Sequence, residues 1–189
     1  MNLNLPNKLT LARIIITPVF LAVIMWESLA HRFLIADIIF VIASITDAVD
    51  GHLARKYNEV TNFGKLLDPI ADKILTTAAL LAFLQLGLCN VWIVMIVLTR
   101  EFAISSIRMI CAANGTVIPA NIFGKIKTAS QMVFTVIIML LCELGEYNYS
   151  ILMITATVSS VLLWITAVLA LVSGVIYIND SRKYIDYSK

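Results

Sequence analysis

The sequence predicts an all-α, polytopic membrane protein, a six-transmembrane-helix bundle built as a single domain over residues 1–189. Three observations predict it. The chain is 60% hydrophobic and 14% charged, whereas a soluble domain carries about 25% charged residues. Its mean hydropathy is +0.93. Its apolar residues fall in blocks near 14–30, 33–46, 74–99, 102–112, 129–142 and 151–178. Only helices and closed barrels satisfy their backbone polar groups in lipid, and these blocks lack the strict alternation of barrel strands.

Taken in order, a helix needs about 20 residues to cross the bilayer. The first span is expected near 11–29, after an amphipathic opening, Leu5-Pro6-Asn7-Lys8-Leu9-Thr10, with Pro6 at a helix-starting position. No small-residue cleavage site follows this span, so it is expected to be retained. The second span is expected near 33–56. The third apolar block, extended back to Leu66, is too long for one span, and Gly87-Leu88-Cys89-Asn90 supplies a turn inside it. This divides it into spans near 65–87 and 91–112. The last two are expected near 124–144 and 151–178, and residues 179–189 form a polar tail.

Charge placement sets the orientation. Lys8, Arg13, Arg55, Lys56, Lys65, Arg108, Lys125, Lys127, Arg182, Lys183 and Lys189 fall at one end of their spans; the other end has Arg32, Glu27, Glu143 and Glu146. The positive-inside rule then puts both termini and the 55–65 and 113–125 loops in the cytosol. Cys89, Cys111 and Cys142 lack metal-ligand spacing and read as free thiols.

Chemistry concentrates in one stretch. Asp47 and Asp50 are spaced i, i+3, and Asp68 and Asp72 are spaced i, i+4. Each spacing puts both carboxylates on one helical face. A short connection makes the two helices antiparallel neighbours, so the pairs are expected to face each other. Four ionised carboxylates so close repel strongly. Divalent cations with oxygen ligands resolve that, and Mg²⁺ suits sites that also hold substrate phosphates. Gly51 and Ala54 leave room beside the helix backbone, Arg55 can fork onto phosphate oxygens, and Gly64 loosens the entry to the third helix. A purely structural role, with the aspartates pairing to Arg55, Lys65 and Lys73, leaves four clustered carboxylates unexplained.

These residues spell D-x2-D-G-x2-A-R-x8-G-x3-D-x3-D over 47–72, with every fixed position present. In this the chain resembles the CDP-alcohol phosphotransferases, six-helix membrane enzymes that displace CMP from a CDP-linked donor with an alcohol. The resemblance implies a two-metal centre of Mg²⁺ or Mn²⁺ held by Asp47, Asp50, Asp68 and Asp72. It implies that Asp72 is also the general base, that Gly51, Ala54, Arg55 and Gly64 hold the CDP portion, and that the protein is a homodimer. Three further segments resemble the bacterial phosphatidylglycerophosphate synthase branch of that family: Asn4 to Arg13, Thr99-Arg100-Glu101-Phe102-Ala103, and Asn121 to Thr128. That branch implies CDP-diacylglycerol as donor, sn-glycerol 3-phosphate as acceptor, and the bacterial cytoplasmic membrane as location.

The basic residues point the same way. Arg108, Lys125 and Lys127 lie near the cytosolic ends of the fourth and fifth spans, where they can bind an acceptor phosphate or serve as ordinary membrane anchors. Lys125 and Lys127 flank Ile126, so they do not share one face fully. Arg100 lies about 12 Å deeper than Arg108 at about 1.5 Å per residue, and a guanidinium there needs a polar cavity or a partner. Glu101 is about 100° around the helix from Arg100 and is expected to pair elsewhere. Asp37, in the outer half of the second span, has no assigned task. Other acceptors, namely inositol phosphate, serine or a phospholipid, keep the same chemistry. A membrane prenyltransferase also uses helix-borne aspartates but lacks the Gly-x2-Ala-Arg insertion. A cation transporter leaves Arg55 and the lysines without a role. No nucleic-acid-binding feature is present.

Overall fold

The computed structural model describes the backbone of residues 5–57, 62–113 and 122–184, and the side chains of 8–46, 70–71, 73–112 and 122–183. Among the described residues there are six α-helices: α1 (Leu5–Met25), α2 (Arg32–Tyr57), α3 (Asn62–Gln85), α4 (Val91–Ala113), α5 (Ile122–Tyr147) and α6 (Tyr149–Ser181). A 3-10 turn, Arg182–Tyr184, ends the described chain. Their bounds follow the six apolar blocks. Among the described residues, three windows are long and apolar enough to cross a membrane: Lys8–Met25, Ile122–Tyr147 and Tyr149–Ser181. The expectation of six spans is therefore met in part. Helix α4 has the length, but Arg100, Glu101 and Arg108 interrupt its apolar character.

The turns follow from local chemistry. Gly87 has φ +73°, the left-handed conformation that glycine adopts without steric cost. It ends α3 in a Schellman arrangement: Leu88 N donates to Phe83 O at 2.9 Å and Gly87 N to Leu84 O at 3.2 Å. Asn90 then caps α4, its Oδ1 accepting from Trp92 N at 2.9 Å. Asn148 alone separates α5 from α6 and caps the latter, accepting from Ser150 N at 3.0 Å. Gly145 makes this reversal possible, since a methyl group there would lie 3.3 Å from Leu152 Cα. The three cysteines are free, as expected. Burial pushes the Cys89 thiol up to about 11.

One apolar core draws on all six helices, with Phe20, Phe40, Phe83, Val97, Met139 and Leu163 among its members. Phe20 and Phe40 pack ring to ring at 5.9 Å. Alanines at 36, 43, 78, 79 and 82 share this core, letting helix backbones approach closely. The outward faces carry Ile15, Ile38, Trp92, Phe102, Val133 and Val168, all exposed, as a lipid-facing surface requires. Buried hydroxyls return to their own helices: Thr17 donates to Arg13 O, Thr135 to Gln131 O and Thr166 to Leu162 O.

A polar clamp closes the end where α2 starts and α5 stops. Glu143 is buried. Its Oε2 accepts from Leu34 N at 3.2 Å, capping α2 from another helix, and its Oε1 pairs with His31 Nδ1 at 2.6 Å. Arg32 reaches Glu146 at 3.4 Å. The opposite end of the bundle carries the motif residues.

Candidate functional site

Asp47 and Asp50 lie in the second half of α2, and Asp68 and Asp72 in the first half of α3. The backbone is helical through both pairs, so the i, i+3 and i, i+4 spacings hold as read. The side chains of all four, and of Gly51, Ala54, Arg55 and Gly64, lie outside the described residues. So does the expected meeting of the two pairs across the bundle. Among the described residues no group of three or more His, Cys, Asp or Glu is placed to hold a metal; the four aspartates are not among those residues. Carboxylate oxygens are the donor type that a hard divalent cation takes, and the sequence supplies four of them at these positions.

The described chemistry begins one residue later. Lys73 follows Asp72 on α3 and lines a cavity of about 440 Å³. Helix α4 contributes Arg100, Glu101, Ser105 and Arg108 to its wall; α5 contributes Gly124, Lys125 and Thr128; α6 contributes Ser173 and Tyr177. The cavity is thus a cationic chamber between α4, α5 and α6, joined through Lys73 to the helix that bears Asp68 and Asp72.

Arg100 reaches this cavity, the polar environment its depth required. Its Nε donates to Ser173 Oγ at 3.3 Å and its Nη1 to Glu101 Oε1 at 2.9 Å. Two glycines make room for it. A methyl group at Gly174 would lie 3.1 Å from Arg100 Cγ, and one at Gly124 would lie 3.2 Å from Nη2. Arg108 donates from Nε to the Tyr177 hydroxyl at 3.3 Å, its guanidinium 5.4 Å from that ring's centre. Tyr177 is buried, so it fixes Arg108 from a rigid platform.

Two expectations need correction. Glu101 was expected to pair away from Arg100, being 100° around the helix. It does pair with another group, Lys127 Nζ at 2.5 Å, but it accepts from Arg100 as well, because the long flexible stem of Arg100 spans that angle. Lys127, expected to bind the acceptor phosphate together with Arg108 and Lys125, is 1% exposed and paired to Glu101. It is not among the residues lining the cavity. Two residues of helix turn through about 200°, so Lys125 and Lys127 present different sides of α5. Asp37 is buried about 15 Å along α2 from Asp47 at about 1.5 Å per residue. Its Oδ1 has no hydrogen-bond partner among the described residues.

Lys73 as a cavity residue, and Ser173, Gly174 and Tyr177, are not among the site residues that the sequence motifs single out. A signal for two of these was present: Ser173 and Tyr177 are polar groups spaced i, i+4 on a helix whose first charged residue is Asp180.

Comparison with known proteins adds to this geometry. A Bacillus subtilis protein named CDP-diacylglycerol–glycerol-3-phosphate 3-phosphatidyltransferase is 40% identical, the match covering 94% of this chain and 95% of that one. A Rickettsia felis protein of the same name is 39% identical over 96% of this chain and 97% of its own. A Mycobacterium tuberculosis protein named probable phosphatidylglycerophosphate synthase is 42% identical over 69% of this chain and 63% of its own. The pattern of the CDP-alcohol phosphatidyltransferase family matches residues 3–174. With its aspartate-bearing helices, its lipid-facing apolar surface and these relatives, the chain is a bacterial integral membrane protein that belongs to the CDP-alcohol phosphatidyltransferase family.

Proposed function

We propose that this protein transfers a phosphatidyl group from CDP-diacylglycerol to sn-glycerol 3-phosphate, giving phosphatidylglycerophosphate and CMP in phospholipid synthesis. The names of the B. subtilis and R. felis relatives support this reading. The structural observation that carries it is the cavity lined by Lys73, Arg100, Arg108 and Lys125, of which Lys73 stands on the helix that bears Asp72. An acceptor that carries its own phosphate fits this cationic chamber; serine does not.

In this reading Arg108 and Lys125 bind the acceptor phosphate, with Arg100 at the deeper wall and Lys127 acting from behind Glu101. Gly51, Ala54, Arg55 and Gly64 hold the CDP portion of the donor. The acceptor hydroxyl loses its proton to Asp72 and attacks the β-phosphorus of CDP-diacylglycerol, the one bonded to diacylglycerol. The bond to the CMP oxygen breaks and CMP leaves. Asp47, Asp50, Asp68 and Asp72 would hold two Mg²⁺ or Mn²⁺ ions. When bound, these would stabilise negative charge on the transferring phosphoryl group and the leaving oxygen.

All six helices cross the bilayer in this reading, with both termini and the cavity on the cytosolic side. Helices α2, α3 and α4 have 26, 24 and 23 residues, each longer than the ~30 Å hydrocarbon core at 1.5 Å per residue. Reporter fusions after residues 30, 60, 89 and 117 test this by their alternation; two successive fusions on one side contradict it. The chain acts as one domain and as a homodimer, which crosslinking in membranes tests; a monomer at all protein levels contradicts it.

The kinetic test concerns the phosphate-binding residues. Charge-assisted hydrogen bonds contribute about 1.5–3 kcal/mol each. Arg108→Ala and Lys125→Ala should therefore each raise the KM for glycerol 3-phosphate about tenfold or more, since ~1.4 kcal/mol is tenfold. The KM for CDP-diacylglycerol should move much less. If both variants keep the wild-type dependence on glycerol 3-phosphate, the acceptor phosphate binds elsewhere.

A further inference from the structure

A carboxylate inside a phosphate-binding chamber opposes anion affinity, so its presence there calls for a reason. Glu101 lines the cavity together with Lys73, Arg100, Arg108 and Lys125. Its Oε1 accepts from Arg100 Nη1 at 2.9 Å and from Lys127 Nζ at 2.5 Å. Its backbone carbonyl accepts from Lys73 Nζ at 3.1 Å. One residue thus touches cations from α3, α4 and α5.

We propose that Glu101 is the positioning residue of the acceptor cavity: it holds Arg100 and Lys127 in place and cancels one unit of the cluster's positive charge. The proposal rests on the acceptor reading above. Closely placed cations repel one another and will follow any phosphate that enters. With Arg100 held against Glu101 and Ser173, and Arg108 against Tyr177, the guanidinium groups stay fixed to the walls. The phosphate then settles in one pose, with the reacting hydroxyl directed toward α3. Without the carboxylate, anions bind more tightly but in several poses, and fewer of them react.

This predicts opposite movements of binding and turnover, which a merely structural ion pair does not. The experiment uses the full-length enzyme in detergent micelles with saturating CDP-diacylglycerol, varied glycerol 3-phosphate, and inorganic phosphate as competing probe. In Glu101→Gln, removing one negative charge should lower the Ki for inorganic phosphate about fivefold or more. Looser alignment should lower kcat about tenfold. The KM for CDP-diacylglycerol should stay the same. Glu101→Asp keeps the charge with a shorter reach, so its Ki should stay near wild type while kcat falls. An unchanged Ki in Glu101→Gln overturns the proposal, as does an unchanged kcat.

Glu101→Gln removes the carboxylate that the buried Lys127 pairs with. Should that variant not fold, the Glu101→Gln/Lys127→Met double variant carries the test, since it removes both charges of the pair. Its Ki should return to within about twofold of wild type because the charge balance is restored. Its kcat should remain low because Arg100 still lacks its carboxylate partner and keeps only Ser173; a wild-type kcat overturns the proposal. Arg108→Ala separates this idea from the reading beneath it. If Arg108→Ala leaves both phosphate inhibition and the glycerol 3-phosphate KM untouched, the cavity is not the acceptor site and both fall. If Arg108→Ala weakens phosphate inhibition but Glu101→Gln does not strengthen it, only the role of Glu101 falls.

Discussion

Asp68→Asn should lower turnover on the order of 10²- to 10³-fold while the protein still inserts and purifies. The amide keeps the shape and a comparable helix propensity, so α3 should form as before. What it loses is the negative charge. A hard divalent cation binds an anionic carboxylate oxygen far better than a neutral amide oxygen, and the proposed centre has four carboxylates to share between two ions. Asp68 lies one turn before Asp72 on α3, so removing it weakens one side of the donor set and leaves the base in place. Raising Mg²⁺ or Mn²⁺ should recover part of the lost turnover. The decisive control is the wild-type enzyme: full activity after chelation and dialysis would sink the two-metal proposal, whatever the variant does.

Asp72→Asn should abolish transfer yet keep much of the CDP-diacylglycerol binding. General-base catalysis contributes about 10²- to 10⁴-fold, and an amide at this position cannot accept the acceptor's proton. Added metal should not rescue it, in contrast to Asp68→Asn, because the defect is in the proton's destination. Donor binding, read by equilibrium dialysis of a CDP-lipid, should persist because Arg55 and the other three carboxylates remain. Near-normal turnover in Asp72→Asn rules out the assignment of this residue as base.

The parts of the fold legible in the sequence were those set by local chemistry. The helix-ending turn at Gly87 and the cap at Asn90 follow from residue types whose conformational preferences need no tertiary context. The same holds for the six apolar blocks, since backbone satisfaction in lipid leaves few alternatives. The depth of Arg100 was also legible, because a guanidinium in an apolar helix demands a polar destination. Which destination was not. Ser173 and the space at Gly174 come from α6, 73 and 74 positions away in sequence, and no periodicity in α4 encodes that contact. Glu101 and Lys127 illustrate the same limit. Angular arithmetic on one helix separates Glu101 from Arg100, but side-chain length closes the gap once α5 brings Lys127 alongside. Conversely, Lys125 and Lys127 read as a basic pair, and helix geometry assigns one to the cavity and the other to its supporting wall.

The central claim is phosphatidyl transfer to a phosphorylated acceptor, and an acceptor panel tests it most directly. Purified protein is given CDP-diacylglycerol, Mg²⁺ or Mn²⁺, and in turn glycerol 3-phosphate, glycerol, inositol phosphate, inositol, serine and a phospholipid. CMP and lipid product are both measured. The account predicts stoichiometric CMP and phosphatidylglycerophosphate with glycerol 3-phosphate, and little product with the others. Preferred use of serine or a phospholipid, or CMP formed with no new lipid from glycerol 3-phosphate, would contradict it.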